Sequence, residues 1–390
     1  MSEPRVAIVG AGIGGLTLAL ALRRHGIAAE VYEQALELQE VGAAVGLTAN
    51  GTRLLERLGL GAGLEANGTM PAALVYRNWL DGRRIAEYRG AAEYVAQFGA
   101  RMYGVHRAVF QRLLLDAVGD GVVRMAHQLT GIERAGGELR LEFADGASAT
   151  ADVLVGADGV HSTVRRWLTG GEHTARYSGT SAFRGLVPLD RLPALPEPDA
   201  IQFWMGPGAH LLHYRLGGEV NFLAVVEGPS RWHEPAWVVD VEPGANVAAF
   251  EGWHPAVTEL VGGSTMHQRW ALFAHEPLRH WVRDGVALLG DAAHAMLPHH
   301  GQGANQTIED AVALADCLAA AEPRIALRRY ERLRRARTRM VQHCSRQASP
   351  SLHLPDGPAA RLRDSELAEP VEAFAWIHGY DVQRETGRVS

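Results

Sequence analysis

The stretch Val6-Ala-Ile-Val9-Gly10-Ala-Gly12-Ile-Gly14-Gly15, with the apolar run after it to Arg24 and then Ala29-Glu-Val-Tyr-Glu33, decides the fold of this chain. Residues 6–9 form a short β-branched run of the kind buried in parallel sheets. The residues after Gly12 read as a helix stopped by His25-Gly26, and 29–33 read as a second strand ending in a carboxylate. A G-x-G-x-x-G pattern opening the helix of a β-α-β unit, with an acid about twenty positions on, is a dinucleotide fingerprint. Gly10 makes the tight turn, Gly12 lets backbone amides approach a pyrophosphate, and Gly15 lets helix and strand pack closely. Glu33 is placed to accept hydrogen bonds from the adenosine ribose, and its charge opposes a 2′-phosphate there. This fingerprint fits NAD and FAD alike.

The composition is that of an ordinary globular protein: 390 residues, 47% apolar, 21% charged, net charge −6. That length suggests two domains. All 38 residues in the Lys+Arg count are arginine. The absence of lysine excludes a P-loop lysine, a Schiff-base lysine for pyridoxal phosphate and the Tyr/Lys dyad of short-chain dehydrogenases. Cys317 and Cys344 are too few for a disulfide framework and read as small buried hydrophobes in a reducing compartment. The apolar N-terminal run is broken by four glycines and followed by Arg23-Arg24, which argues against a signal peptide or a membrane span. The expectation is a cytoplasmic enzyme with no membrane contact.

Two further glycine–carboxylate motifs follow. Asp152-Val-Leu-Val-Gly-Ala-Asp158-Gly159-Val-His-Ser162-Thr-Val-Arg165 is a buried strand running into a polar turn. Val286-Ala-Leu-Leu-Gly290-Asp291-Ala-Ala-His294 is another, continuing through Pro298-His299-His300-Gly301-Gln302-Gly303-Ala304-Asn305 into a long helix. In this order, the three motifs resemble the single-component FAD-dependent aromatic monooxygenases, typified by para-hydroxybenzoate hydroxylase and more closely by salicylate hydroxylase and 6-hydroxynicotinate 3-monooxygenase. The resemblance extends to the tail pieces His353-Leu-Pro-Asp-Gly-Pro358 and Trp376-Ile-His-Gly-Tyr-Asp381.

The resemblance implies an α/β fold: a Rossmann-like FAD-binding domain (1–72, 101–175 and 276–345), an inserted, mostly antiparallel sheet for the substrate (73–100 and 176–275) and a C-terminal helical tail (346–390). It implies FAD bound by Gly10, Gly12, Gly15, Glu33, Arg107, Asp158, Gly159, Arg165, Gly290, Asp291, Pro298, Gly301, Gly303, Ala304 and Asn305. NADH or NADPH would enter as a transient co-substrate. Asp291 would hold a ribityl hydroxyl, and the turn from Gly301 to Asn305 would offer amides and a helix dipole to the flavin's pyrimidine edge. The chemistry implied is O2 addition to the reduced flavin and transfer of one oxygen atom, through a C4a-hydroperoxide, to an electron-rich ring, phenolic or N-heteroaromatic. The same motifs also serve epoxidation, Baeyer–Villiger and indole oxidation. Two departures from the family pattern are Gln34, where arginine is frequent, and Gly46-Leu-Thr-Ala-Asn50, which lacks the usual proline before asparagine.

Between 176 and 275 the pattern shifts to period-two strands, expected at 181–187, 200–205, 210–216 and 219–226. Alternation puts His210, Leu212 and Tyr214 on one face. His210 and Tyr214 are expected to share a hydrogen bond and exchange a proton with a phenol, and they resemble the substrate-side pair of 6-hydroxynicotinate 3-monooxygenase. His299, in the loop that the resemblance places against the flavin, is the other candidate base. Phe203, Trp204, Phe222 and Trp232 could line an aromatic pocket, and Arg84, Arg184 and Arg215 are possible carboxylate clamps. The histidines at 294, 299 and 300 match no metal pattern. Eight arginines between Arg324 and Arg339 read as a solvated, ion-paired helix face rather than a nucleic-acid patch, and 347–361 reads as a linker. The expected partners are a small aromatic substrate and O2, with a homodimer possible and no nucleic acid. A plain NAD-dependent dehydrogenase and a non-catalytic FAD redox sensor are the alternative readings.

Overall fold

The computed structural model describes residues 4–37, 44–171, 175–234, 236–368 and 374–388. Val6–Val9 is buried throughout and pairs in parallel with Ala29–Tyr32 on one side and Val153–Gly156 on the other. Val286–Leu288 adds to the far side of Val153–Gly156. The sheet runs Val282–Arg283, Val286–Leu288, Val153–Gly156, Val6–Val9, Ala29–Tyr32, Val123–Arg124. The three motifs therefore leave the carboxyl ends of neighbouring parallel strands, where α/β sheets bind their ligands. The helices Ile13–Arg24 and Gly303–Ala320 bury their apolar faces in the same core.

A second sheet of eight strands runs Val238–Asp240, Gln268–Ala274, Arg176–Pro188, Glu219–Glu227, Ala209–Leu216, Ile201–Gly206, Ala73–Asn78, Arg84–Arg89. Its pairings are antiparallel except that of Ile201–Gly206 with Ala73–Asn78. One face carries its own core, in which Trp204, Phe222 and Val220 pack against Phe250, Trp253 and the helix Pro255–Gly262. The other face looks toward the six-stranded sheet, across a shared cavity.

The helix Pro323–Leu352 differs from the sequence expectation in two ways. It takes in the first residues of the expected linker, and the helix Pro358–Ala368 begins soon after. The reason is packing, since Ser349 and Leu352 are buried. The arginine-rich stretch is also not wholly solvated: Arg334 lies fully inside. Among the described residues no helix is long and apolar enough to cross a membrane.

Candidate active site

Gly10 turns the chain at φ +103°, and a Cβ there would stand 2.5 Å from the Ala157 carbonyl oxygen. A Cβ at Gly15 would stand 1.9 Å from the Gly10 carbonyl oxygen. Both positions require glycine for packing. Gly12 differs, bordering open space and lining a cavity of about 440 Å³. The helix after it has no side-chain cap and no acid in its first turn, so its amides and positive dipole end remain for an anion. Glu33 is braced behind the fingerprint, its carboxylate accepting from the amides of Ala11 (2.7 Å) and Ala35 (2.9 Å).

On the opposite wall, the helix Gly303–Ala320 also starts without a side-chain cap. Gly301 reaches it through a left-handed turn, φ +60°, after the 3₁₀ turn Pro298–His300. Asn305 fastens this loop, donating to the carbonyls of Gly301 (2.9 Å) and Gly46 (3.0 Å) and accepting from the Thr48 amide (2.9 Å).

Of the residues named from sequence, Gly12, Arg107, Gly159, Tyr214, Gly290, Asp291, Pro298, His299, Gly301, Gly303 and Ala304 all line the cavity. Gly10, Gly15, Glu33 and Asn305 are not part of its lining. Asp158 and Arg165 are supports. Asp158 accepts from Ser162 Oγ (2.5 Å) and from the amides of Thr163 and Val164, capping the helix Thr163–Thr169. Arg165 donates to the carbonyls of Val160 (2.6 Å) and Ala292 (3.1 Å), tying the second motif to the third.

The floor comes from the eight-stranded sheet. Pairing aligns Arg184, Leu223, Leu212, Phe203 and Tyr76 in one row across five strands, and all five line the cavity. Trp204 faces the outer core instead, and Trp232 packs against Tyr177. Of the three arginines considered as clamps, Arg215 pairs with Asp199 (2.7 Å), and Arg84 pairs with Glu87 (2.6 Å) and Glu197. Arg184 has no carboxylate partner among the described residues. Its Nε is buried without a hydrogen bond, and its guanidinium lies 4.9 Å from the Trp270 ring centroid. Burial, with Arg107 nearby, pulls its pKa below the ordinary arginine value.

His299 is buried against the cavity with neither ring nitrogen hydrogen-bonded, and burial lowers its pKa to about 3, so its imidazole is neutral. The expected His210–Tyr214 hydrogen bond is absent. Four residues along a strand span roughly 13 Å, too far for a direct contact. His210 Nδ1 instead meets His353 Nε2 at 2.7 Å, a partner outside the sheet that no strand periodicity reveals.

Sequence reading also missed a buried polar network beneath the Pro298–Asn305 loop. Arg334 bonds Glu309 (2.5 Å) and Asp310 (2.7 Å), all three with no exposed side-chain surface. Asp310 continues to His294 (2.5 Å) and the Gly290 amide (3.1 Å), and Glu309 to Asn50 (2.6 Å). Burial opposes the charge of Arg334, but the two carboxylates outweigh it and keep the guanidinium protonated. A signal for this existed: Leu327, Tyr330, Arg334, Thr338 and Val341 are all buried, and they follow the three-to-four spacing of an inward helix stripe.

The model of an FAD binding domain family matches residues 3–345. A 3-amino-4-hydroxybenzoate 2-monooxygenase of Streptomyces platensis is 43% identical over 386 residues, 97% of each chain. A 6-hydroxynicotinate 3-monooxygenase of Pseudomonas fluorescens is 33% identical over 97% of this chain and 96% of its own. The crystal structure of Klebsiella pneumoniae HpxO with FAD and uric acid superposes with a TM-score of 0.85 at 30% identity, covering 99% of this chain and 95% of that one. These matches run through the Gly290-Asp291 motif, which a plain dehydrogenase leaves unexplained. With the fingerprint, the two uncapped helix ends and the glycine turn gathered on one cavity, the chain belongs to the FAD-binding family of NAD(P)H-using aromatic monooxygenases.

Proposed function

We propose that this enzyme hydroxylates an aromatic acid carrying a phenol-type hydroxyl, with 3-amino-4-hydroxybenzoate, the compound named for its Streptomyces platensis relative, as the first substrate to test. The observation that carries the reading is Arg184, a half-buried cation on the cavity wall, its Nε buried and unbonded, with no carboxylate paired to it among the described residues. Such a charge is costly unless a ligand anion completes it.

The residues present fit FAD. Both uncapped helix ends face one cavity, and Gly12 leaves the room that a side chain would fill. Gly12 and Arg107 would hold its phosphates, Asp291 its ribityl chain, and the Gly301–Ala304 amides its pyrimidine edge. When bound, FAD supplies reducing equivalents drawn from NAD(P)H and activates O2. The chain's own work is positioning and proton transfer. Arg184 fixes the carboxylate at one end of the floor, while Leu212, Leu223 and Phe203 hold the ring and exclude water. His299 accepts the hydroxyl proton, which makes the ring more electron-rich and more reactive toward an electrophilic oxygen.

The test is turnover of FAD-loaded enzyme with 3-amino-4-hydroxybenzoate and NADH or NADPH under ¹⁸O2. The expected product carries one labelled ring hydroxyl, in step with nicotinamide consumption. Consumption that ends entirely in hydrogen peroxide, here and across a panel of hydroxybenzoates, would sink the proposal.

A further inference from the structure

We infer that the proton taken from the substrate leaves the protein along His299, His210, His353 and Glu227, with His353 joining the cavity histidines to the surface. This rests on the reading above that His299 is the base. The inner end is His299, on the cavity wall. Its ring centroid lies 5.1 Å from that of His210, whose Nε2 is buried and likewise unbonded. The link from His210 Nδ1 to His353 Nε2 is 2.7 Å. The other nitrogen of His353 lies 3.5 Å from Glu227 Oε1, and the Glu227 side chain is 61% exposed. His353 and Glu227 line a second cavity, of about 490 Å³, with Leu297 forming a wall of both cavities.

The arrangement is held from the backbone. Gly208, in the hairpin between Ile201–Gly206 and Ala209–Leu216, donates its amide to the His353 carbonyl (3.0 Å), and its carbonyl accepts from the Glu227 amide (2.8 Å). One turn thus fixes both outer members. A histidine buried only for packing ordinarily satisfies itself on a backbone carbonyl or carboxylate. The bonded nitrogen of His210 meets another imidazole, a pair that exchanges a proton without separating charge across the sheet. The path also gives a role to the His353-Leu-Pro-Asp-Gly-Pro358 motif, which flavin binding does not use.

The step balances as follows. The substrate O–H bond breaks and an N–H bond forms on His299. A ring rotation of His299 delivers that proton to His210 Nε2, while His210 Nδ1 gives its own to His353 Nε2. His353 Nδ1 then gives its proton to the Glu227 carboxylate, which exchanges with water. Each imidazole gains one proton and loses one, no electrons move, and the substrate is left as a phenolate. His300 neighbours the inner end, and Arg176, His275, Glu276 and Arg346 surround the outer cavity. Burial keeps the His299, His210 and His353 imidazoles mostly neutral, so the path conducts a proton rather than storing one.

The experiment mixes oxidised, FAD-loaded enzyme with 3-amino-4-hydroxybenzoate in weakly buffered solution. It follows proton release with an indicator dye and phenolate formation by absorbance, without nicotinamide. His353→Gln is expected to slow both by about tenfold or more with flavin content unchanged. Added imidazole should restore the rate in His353→Ala. Glu227→Gln, at the surface, should slow release by roughly twofold to threefold, and it carries the test if the His353 variants do not fold. A wild-type rate in His353→Gln, or in Glu227→Gln where only that variant folds, overturns the relay. So does a slowed His353→Ala that imidazole leaves unchanged. His299→Asn separates the two readings: a wild-type rate there removes the base itself, whereas a slow His299→Asn beside a normal His353→Gln removes only the relay.

Discussion

Two arginines inside this molecule stand in opposite electrical circumstances. Arg334, beneath the Pro298–Asn305 loop, meets Glu309 and Asp310 at hydrogen-bond distance in a region closed to solvent. Arg184, on the sheet face, has a tryptophan ring, a cavity and no carboxylate among the described residues. The first charge is balanced by the chain that carries it, so its work is to hold helices and the Gly290 turn together. The second is balanced only when something enters. In a folded protein, an interior charge without an internal partner marks where a ligand belongs.

The comparison breaks most visibly under mutation. Arg334→Ala removes the guanidinium shared by two buried carboxylates, leaving Glu309 to Arg337 and Asp310 to His294, and should lower unfolding free energy by about 3 kcal/mol, measured by denaturant titration of the FAD-loaded protein. A loss under about 1 kcal/mol would mean that the pair is not closed as described. Arg184→Gln should leave thermal stability unchanged or slightly raised, while weakening 3-amino-4-hydroxybenzoate binding by about 2 kcal/mol, the usual worth of a hydrogen bond to a charged group. Equal losses of stability in both variants would erase the distinction.

Acid sharpens the same contrast. Burial holds His299 down to about 3, His353 to about 4, and His213, beside Arg77, to about 3. Below an unfolded value of about 6.5, the unfolded chain binds protons that the folded chain refuses. Stability should therefore fall as pH drops from 6.5 toward 4, by up to about 1.4 kcal/mol per pH unit for each such histidine. Calorimetry at pH 7.5, 6 and 5 reads the slope, and His213→Gln should reduce it. The smallest effect belongs to Arg328, an exposed member of the same arginine-rich helix. Its replacement by alanine should move Tm by no more than about 1 °C, whereas Arg334→Ala moves it far more.

What could be read from sequence followed how local the physics is. Gly10, Gly12 and Gly15 are dictated by backbone sterics within one β-α-β unit, and the strands at 201–206 and 209–216 by alternation, so both appear in order along the chain. His299 was visible because its loop belongs to an ordered motif. Arg184 was visible only as one of three arginines, since what sets it apart from Arg84 and Arg215 is that no carboxylate among the described residues pairs with it, a property of strand register. His353 and Glu227 come together through a glycine in a hairpin more than a hundred residues from His353. The His210–Tyr214 contact failed because a shared face was taken for proximity. The solvated reading of the arginine-rich helix failed for Arg334, whose place on the buried stripe was legible but outweighed by composition.

The most direct measurement is a flavin-absorbance titration of FAD-loaded wild type and Arg184→Gln with 3-amino-4-hydroxybenzoate and with its neutral carboxamide. The wild type should bind the acid about 30-fold more tightly than the amide, and the variant should bind the two alike with its flavin content intact. A variant that still prefers the acid by the full margin would show that the Arg184 guanidinium is not what the substrate's carboxylate meets.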